Sequence, residues 1–393
     1  MYKLIQQTST IRSLKNLLSR PALRRHVLFA TVPSMAFVAV AVALSLLARA
    51  GRIEAAGPKF RVIATVPLHS NARGSVAVNQ ALNKIYVSGN PSDNCDIAVN
   101  VIDGVTFAIT DVGYPFDYGS GVSVDNKTNR YWAADIYGNG PFSGICPPPH
   151  PPYPPGVIVR DDTDTVVATV NLGFCPIQTN YDFKYTRVWV GAQCGPCNDP
   201  IFAIDANTYA ITAGPIPSGG VMGGIIDNGA NGRLYYAAQP GCSGPYFSKR
   251  VNPTTFDVTD NAFGRVLAIN SLTNTLYAIP DATNNLQIIN GAPDPEVILR
   301  TITLPYHPAG MAINPALNYL YLENPAGNSL EVRDPLTGGL IATFSLPLTP
   351  NGPIAVDSIR GRIYVISYGA STELMVIEDL INAFKPGAII SHF

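Results

Sequence analysis

The chain has 393 residues, 47% of them hydrophobic and 13% charged, long enough for one large domain or two ordinary ones. Gly and Pro stand at 34 each beside 19 Tyr, a composition of strands and turns rather than of helices. Residues 1–50 carry seven basic side chains and no acid, so the rest holds 19 basic against 27 acidic, or −8. A domain of that sign has no general electrostatic reason to bind nucleic acid or anionic lipid.

The first predicted element is the run 27–48, 22 residues without a charge, long enough to span a bilayer as a helix. Ala48-Arg49-Ala50 follows at once, a small-x-small cleavage pattern. The segment reads as a signal peptide or as a retained anchor, with the basic flank held in the cytoplasm and the remainder exported. Arg24-Arg25 carries only a fragment of a twin-arginine signal. The expected divisions are 1–50 signal or anchor, 51–60 linker, 61–379 the folded domain and 380–393 a tail.

From residue 76 the chain repeats itself. VAVNQALNKIYVSGN (76–90), VLAINSLTNTLYAIP (266–280), MAINPALNYLYLENP (311–325) and IAVDSIRGRIYVISY (354–368) share one pattern. An alternating apolar stretch ends in Asn or Asp; four residues on stands Asn or Gly, and three further an aromatic. The trios are Asn79, Asn83, Tyr86; Asn270, Asn274, Tyr277; Asn314, Asn318, Tyr321; and Asp357, Gly361, Tyr364. Looser copies are Asp125, Asn129, Trp132; Asp182, Thr186, Trp189; and Asn228, Gly232, Tyr235. Alternation at period 2 is a half-buried strand. The Asn or Asp closes it through a side-chain bond to backbone two residues on. The next Asn or Gly tolerates a left-handed turn conformation, and the aromatic opens a second, packed strand.

Each copy continues into a third strand with a polar end, from NVIDG (100–104) to MVIED (375–379), and usually a fourth, as in VVATV (166–170) and LIATF (340–344). Four short strands recurring every 42 to 57 residues describe a β-propeller blade. The seventh copy lacks a fourth strand, while VIATV (62–66) resembles the fourth strands elsewhere. The fold class expected is therefore all-β: a seven-bladed propeller closed by its N-terminal strand, preceded by the signal or transmembrane helix.

NKIYVSGN and VNVIDG resemble the YVTN-type β-propeller repeat of YncE-like and surface-layer proteins. The resemblance spans 61–379, strongest in copies 1, 5, 6 and 7. It implies a seven-bladed, usually exported propeller and no shared catalytic residues. A propeller is a platform for many functions.

All six cysteines, Cys95, Cys146, Cys175, Cys194, Cys197 and Cys242, fall in loops that blade topology puts on one face of blades 1 to 4. Those loops are the longest: turn residue to end of third strand takes 24 residues in blade 1 and 36 in blade 2, against 20 in blades 5 and 6. An even number of cysteines in an exported chain reads as a disulfide set tying long loops. Cys95 is expected to pair with Cys146, and the other four among themselves. Cys194-Gly-Pro-Cys197 has no strand–helix–strand setting of the redox kind; redox and zinc remain the alternatives.

His69, His150, His307 and His392 share no metal-ligand spacing. No metal or cofactor is expected. Arg73, Tyr118, Gln178, Arg265 and His307 lie in the links leading into inner strands, where they would form a polar funnel around the channel mouth or a solvated rim. ICPPPHPPYPPG (145–156) reads as a stiff extended loop, DNCD (93–96) and DDTD (161–164) as turns or calcium loops, and Asn126-Lys127-Thr128 as a glycosylation sequon.

The function expected is a non-enzymatic binding or scaffold propeller, monomeric and extracytoplasmic. Its disulfide-tied face would recognise a protein, glycan or small molecule, and only the N-terminal segment would touch membrane. The alternative is a lactonase-, lyase- or quinoprotein-like enzyme with its site at the channel mouth.

Overall fold

The computed structural model divides the chain into two units, Met1–Gly57 and Pro58–Phe393. The described residues, all in the second unit, are 59–69, 74–89, 99–112, 119–135, 156–192, 199–239, 245–368 and 371–380. They form seven four-stranded antiparallel sheets, the blades of a seven-bladed β-propeller. The apolar run at 27–48 lies outside the described residues. Among those residues no helix is long and apolar enough to cross a membrane.

In blades 1 to 6 the four strands follow one another outward. Blade 1 runs Val76–Asn79, Lys84–Ser88, Val99–Asp103, Ile109–Val112. Blade 7 takes its three inner strands, Pro350–Asp357, Arg362–Tyr368 and Thr372–Asp379, from the end of the chain. Its outer strand is Phe60–Pro67, antiparallel to Thr372–Asp379, with Phe60 opposite Asp379 and Pro67 opposite Glu373. Between blades 7 and 1, Val66, Ile85, Val87, Ile102, Tyr364, Ile366, Leu374 and Val376 bury one apolar layer. Burial of such layers between sheets is the main stabilising term.

The repeated trio does the same work in every blade. Asn79, Asp125, Asp182, Asn228, Asn270, Asn314 and Asp357 are all buried. Each side-chain Oδ1 accepts a backbone N–H two or three residues on, at 2.9–3.2 Å. The residue four positions on is left-handed in all seven, with φ from 51° to 75° at Asn83, Asn129, Thr186, Gly232, Asn274, Asn318 and Gly361. The aromatics Tyr86, Trp132, Trp189, Tyr235, Tyr277, Tyr321 and Tyr364 are at most 1% exposed.

Thr186 departs from its counterparts because a β-branched residue is poorly suited to positive φ. Thr186→Asn is expected to raise stability by about 1 kcal/mol, read as a higher urea midpoint.

A second turn code closes the third strands. Asp103, Asp205 and Asp334 each accept the backbone N–H and the hydroxyl of a Thr three residues on, Thr106, Thr208 and Thr337. The backbone N–H of Thr106 and that of Thr208 hold the Asp103 and Asp205 carboxyls below the usual carboxylate range. In DDTD the Asp161 Oδ1 is taken by the N–H and hydroxyl of Thr163 and the N–H of Thr165, the bonding of a turn.

Candidate functional site

Inner strands of all seven blades wall a central channel of about 650 Å³. Each inner strand starts on the face that carries the links and the loops between second and third strands. It ends at an Asn or Asp turn on the opposite face. Backbones crowd near the start: a Cβ on Gly121 would fall 2.5 Å from the Gln178 Cα of the next blade.

Side chains on the wall tie blade 1 to blade 2 and blade 3 to blade 4. The Ser75 hydroxyl accepts the Val122 N–H at 2.7 Å. Gln178 Oε1 accepts the Ile225 N–H at 2.7 Å, and Asn180 Oδ1 the Asp227 N–H at 3.0 Å. Asn126, the sequon residue, faces the channel and its Oδ1 accepts the Gln80 N–H at 2.8 Å.

Gln178 and Arg265 both line the channel, two blades apart. Gln178 spends its carbonyl oxygen on the tie between blades 3 and 4. The Arg265 side chain is a quarter exposed; its Nε lies 4.0 Å from Asp281 Oδ1, is closed to solvent and makes no hydrogen bond. His307 is half-buried in the link into blade 6, its Nδ1 3.3 Å from the Thr283 carbonyl oxygen. It is not part of the channel wall. Arg73 and Tyr118 lie outside the described residues, as do Cys95, Cys146, Cys194, Cys197, Cys242 and DNCD (93–96). Cys175, in the link from blade 2 to blade 3, is disulfide-bonded.

Two acids, the half-buried Asp227 and the buried Glu323, were not singled out from the sequence. Asp227 lines the channel, where its Oδ2 is closed to solvent and has no hydrogen-bond partner. Burial pushes its carboxyl well above the ordinary range; the nearby Asp182 adds to this and Arg187 opposes it. Glu323 is wholly buried at the other end of the channel, on the second strand of blade 6. Its Oε1 has no partner, and Oε2 accepts only the Gly352 N–H, at 3.4 Å. Burial pushes this carboxyl up as well, weakly opposed by Gly352.

Both acids had a signal in the repeat. One residue before the turn Asn or Asp the blades hold Val78, Val124, Tyr181, Asp227, Ile269, Ile313 and Val356. Nine residues after it they hold Ser88, Ala134, Gly191, Ala237, Ile279, Glu323 and Ile366. Each acid is the one charged residue at its position.

A carboxyl whose folded pKa is raised costs stability above its unfolded pKa and nothing in acid, where both states are protonated. Glu323→Gln is therefore expected to raise the melting temperature at neutral pH by a few degrees. The gain should shrink to nothing as pH falls below about 4, near the unfolded value of a Glu carboxyl. Melting curves of the two proteins across pH check this.

Amides and hydroxyls of Ser75, Ser123, Gln178, Thr179, Asn180 and Asn351 dominate the polar wall, with Arg265 the one basic and Asp227 the one carboxylic side chain among its described residues. Such a wall suits hydrogen bonding to a polar ligand. Among the described residues no group of three or more His, Cys, Asp or Glu side chains stands together as metal ligands would.

No family model matches the sequence, and no curated protein does. Solved structures do match. The Cps50 (Swd1) β-propeller domain of Myceliophteria thermophila superposes with a TM-score of 0.60 at 11% identity, over 81% of this chain and 99% of that one. Hydrazine synthase of Kuenenia stuttgartiensis superposes with a TM-score of 0.58 at 13% identity, over 80% and 98%. At such identities the likeness is one of fold alone.

Proposed function

We propose that this chain is a non-enzymatic binding propeller of the YVTN type, exported by its N-terminal segment. Residues 1–50 act as signal or anchor and 51–60 as linker. The ring binds as a monomer on the cell exterior or in the periplasm, with 380–393 as a tail. The binding surface is the face carrying the cysteine loops, tied by disulfides, together with the channel mouth that opens on it. The occupant is a protein, glycan or small polar molecule.

One observation carries this reading: a channel of about 650 Å³ whose wall sets amides, hydroxyls and backbone among apolar side chains such as Val76, Val122, Ile225 and Ile354, with a single Arg among its described residues, at the loop-face end. Such a lining offers directional hydrogen bonds. Catalysis by acid–base relay asks instead for paired titratable groups within hydrogen-bond reach.

The test is calorimetric titration of the full chain with envelope glycans and peptides, before and after reduction, beside turnover assays on lactones and polysaccharides. Binding without turnover, weakened by reduction, is the expected result. Sustained turnover of any of these substrates overturns the reading in favour of the enzyme.

A further inference from the structure

Glu323 and Gly310 occupy in blade 6 the places of Ser88 and Ser75 in blade 1. The backbone bonding is the same: Gly74 N–H to Ser88 O and Ser88 N–H to Ser75 O in one, Ala309 N–H to Glu323 O and Glu323 N–H to Gly310 O in the other. In blade 1 the polar groups are satisfied. Ser88 Oγ accepts the Ser75 N–H at 2.9 Å, and Ser75 Oγ bonds the next blade at Val122. In blade 6 a wholly buried carboxyl replaces the small hydroxyl. Its one bond to the next blade is the 3.4 Å contact with Gly352, and one oxygen is left over.

Burying an ionisable group with an unmatched oxygen costs stability, and an Ile or Ala meets the packing need at this position in other blades. A site that keeps such a group is a candidate for recognition. The wall in front of it is thin. Gly310 and Gly352 line the channel, and a Cβ on Gly310 would sit 3.0 Å from Glu323 Oε2 and 2.7 Å from the Gly352 carbonyl oxygen. Position 310 has no side chain, so what separates the carboxyl from the channel is the backbone of Gly310 and Gly352 and the Ile354 side chain, whose Cγ2 would lie 3.1 Å from that Cβ.

The chemistry of the donor set selects the ligand. A divalent cation takes several oxygen ligands, with more than one carboxylate in a tight site. No further His, Cys, Asp or Glu gathers with Glu323 into a metal-binding group among the described residues. An ammonium group has three N–H donors and one positive charge. A lone carboxyl, drawn into its ionised form by the charge of the ammonium beside it, and a backbone carbonyl answer both.

We propose that Glu323, with the Gly352 carbonyl oxygen, forms a subsite at the loop-face end of the channel that binds the primary ammonium group of a small ligand. The ammonium enters past Gly310 and donates to Glu323 and to Gly352 O. This rests on the reading of the channel as a binding site and names the group it selects.

The experiment titrates the full chain with n-butylammonium, and separately with tetramethylammonium, which has no N–H, and with n-butanol, which has no charge. Wild type, Glu323→Gln and Asp260→Asn, a carboxylate on an outer strand away from the channel, are compared by calorimetry, each with its melting temperature recorded. The expected result is binding of n-butylammonium alone, weakened about tenfold or more in Glu323→Gln and unchanged in Asp260→Asn. A melting temperature for Glu323→Gln at or above wild type attributes that loss to the carboxylate and not to unfolding. Undiminished binding in Glu323→Gln, or equal binding of tetramethylammonium, overturns the subsite. Absence of n-butylammonium binding overturns it too, and binding of glycans or peptides to the same preparation would leave the binding propeller standing.

Discussion

Arg187→Met is expected to destabilise the propeller by about 3–5 kcal/mol, the cost of stranding a buried carboxylate. The guanidinium Nε donates to Asp182 Oδ2 at 2.9 Å, and Asp182 is fully buried. Nη1 donates to the Pro253 carbonyl oxygen at 2.7 Å and Nη2 to that of Gly232 at 3.5 Å, both in blade 4. The group also stacks 4.1 Å from the Trp189 ring centre and 4.6 Å from that of Tyr185. One side chain thus joins the turn of blade 3 to the backbone of blade 4 and fills the space between two rings. Methionine keeps much of the volume and none of the donors. The Arg187→Met, Asp182→Asn double variant should recover part of the loss, because the stranded charge is gone. Arg187→Lys should recover little, since an ammonium cannot repeat the planar fork or its stacking. Urea unfolding of the four proteins measures these differences. A double variant no more stable than Arg187→Met would show that lost stacking, and not charge burial, sets the cost.

Glu296→Ala is expected to cost about 3–4 kcal/mol. Its carboxylate is 2% exposed in the blade 5 turn that reaches across to blade 4. Oε1 accepts the Tyr235 hydroxyl at 2.7 Å and Arg233 Nη1 at 3.0 Å, while Oε2 accepts Arg250 Nη1 at 2.6 Å. Its removal leaves Asp294 as the one acid paired with the two arginines, and an unpartnered Tyr235 hydroxyl. Asp294 bonds the same two arginines but is half exposed, so water competes for it. Asp294→Ala should therefore cost no more than about 1 kcal/mol. The two acids share both arginines, so the contrast reads the burial of Glu296 together with the Tyr235 hydroxyl that it alone accepts. Equal losses for the two variants would refute that assignment.

Much of the ring was legible because each blade restates the same local chemistry. The Asn or Asp that caps a turn, the left-handed residue four positions on and the aromatic three further act within eight residues of chain. Their identities therefore appear directly in the sequence, even in copies as loose as Asp182, Thr186, Trp189. The second code, Asp with Thr three residues on, is equally local, but was read only as a polar end to the third strand.

The candidate site was less legible. Gln178 and Arg265 were expected in the links into inner strands, and both line the channel. Nothing in the sequence showed that Gln178 Oε1 would be spent on the Ile225 N–H, 47 positions away. His307 was expected on the same ground, its place in the link into blade 6, and stands off the wall. Asp227 and Glu323 were visible as the one charged residue in a column of seven, once the blades are aligned; their burial was not.

By itself, the sequence determined that this chain makes strands in sets of four, seven times over, because turn caps and strand periodicity are short-range. Only the tertiary structure decided which polar groups meet across blades. Arg187 with Pro253, Glu296 with Arg233 and Arg250, and Glu323 with Gly352 pair residues 29 to 66 positions apart. Whether such a group is satisfied or left over depends on how closely two sheets pack, a quantity no local pattern contains.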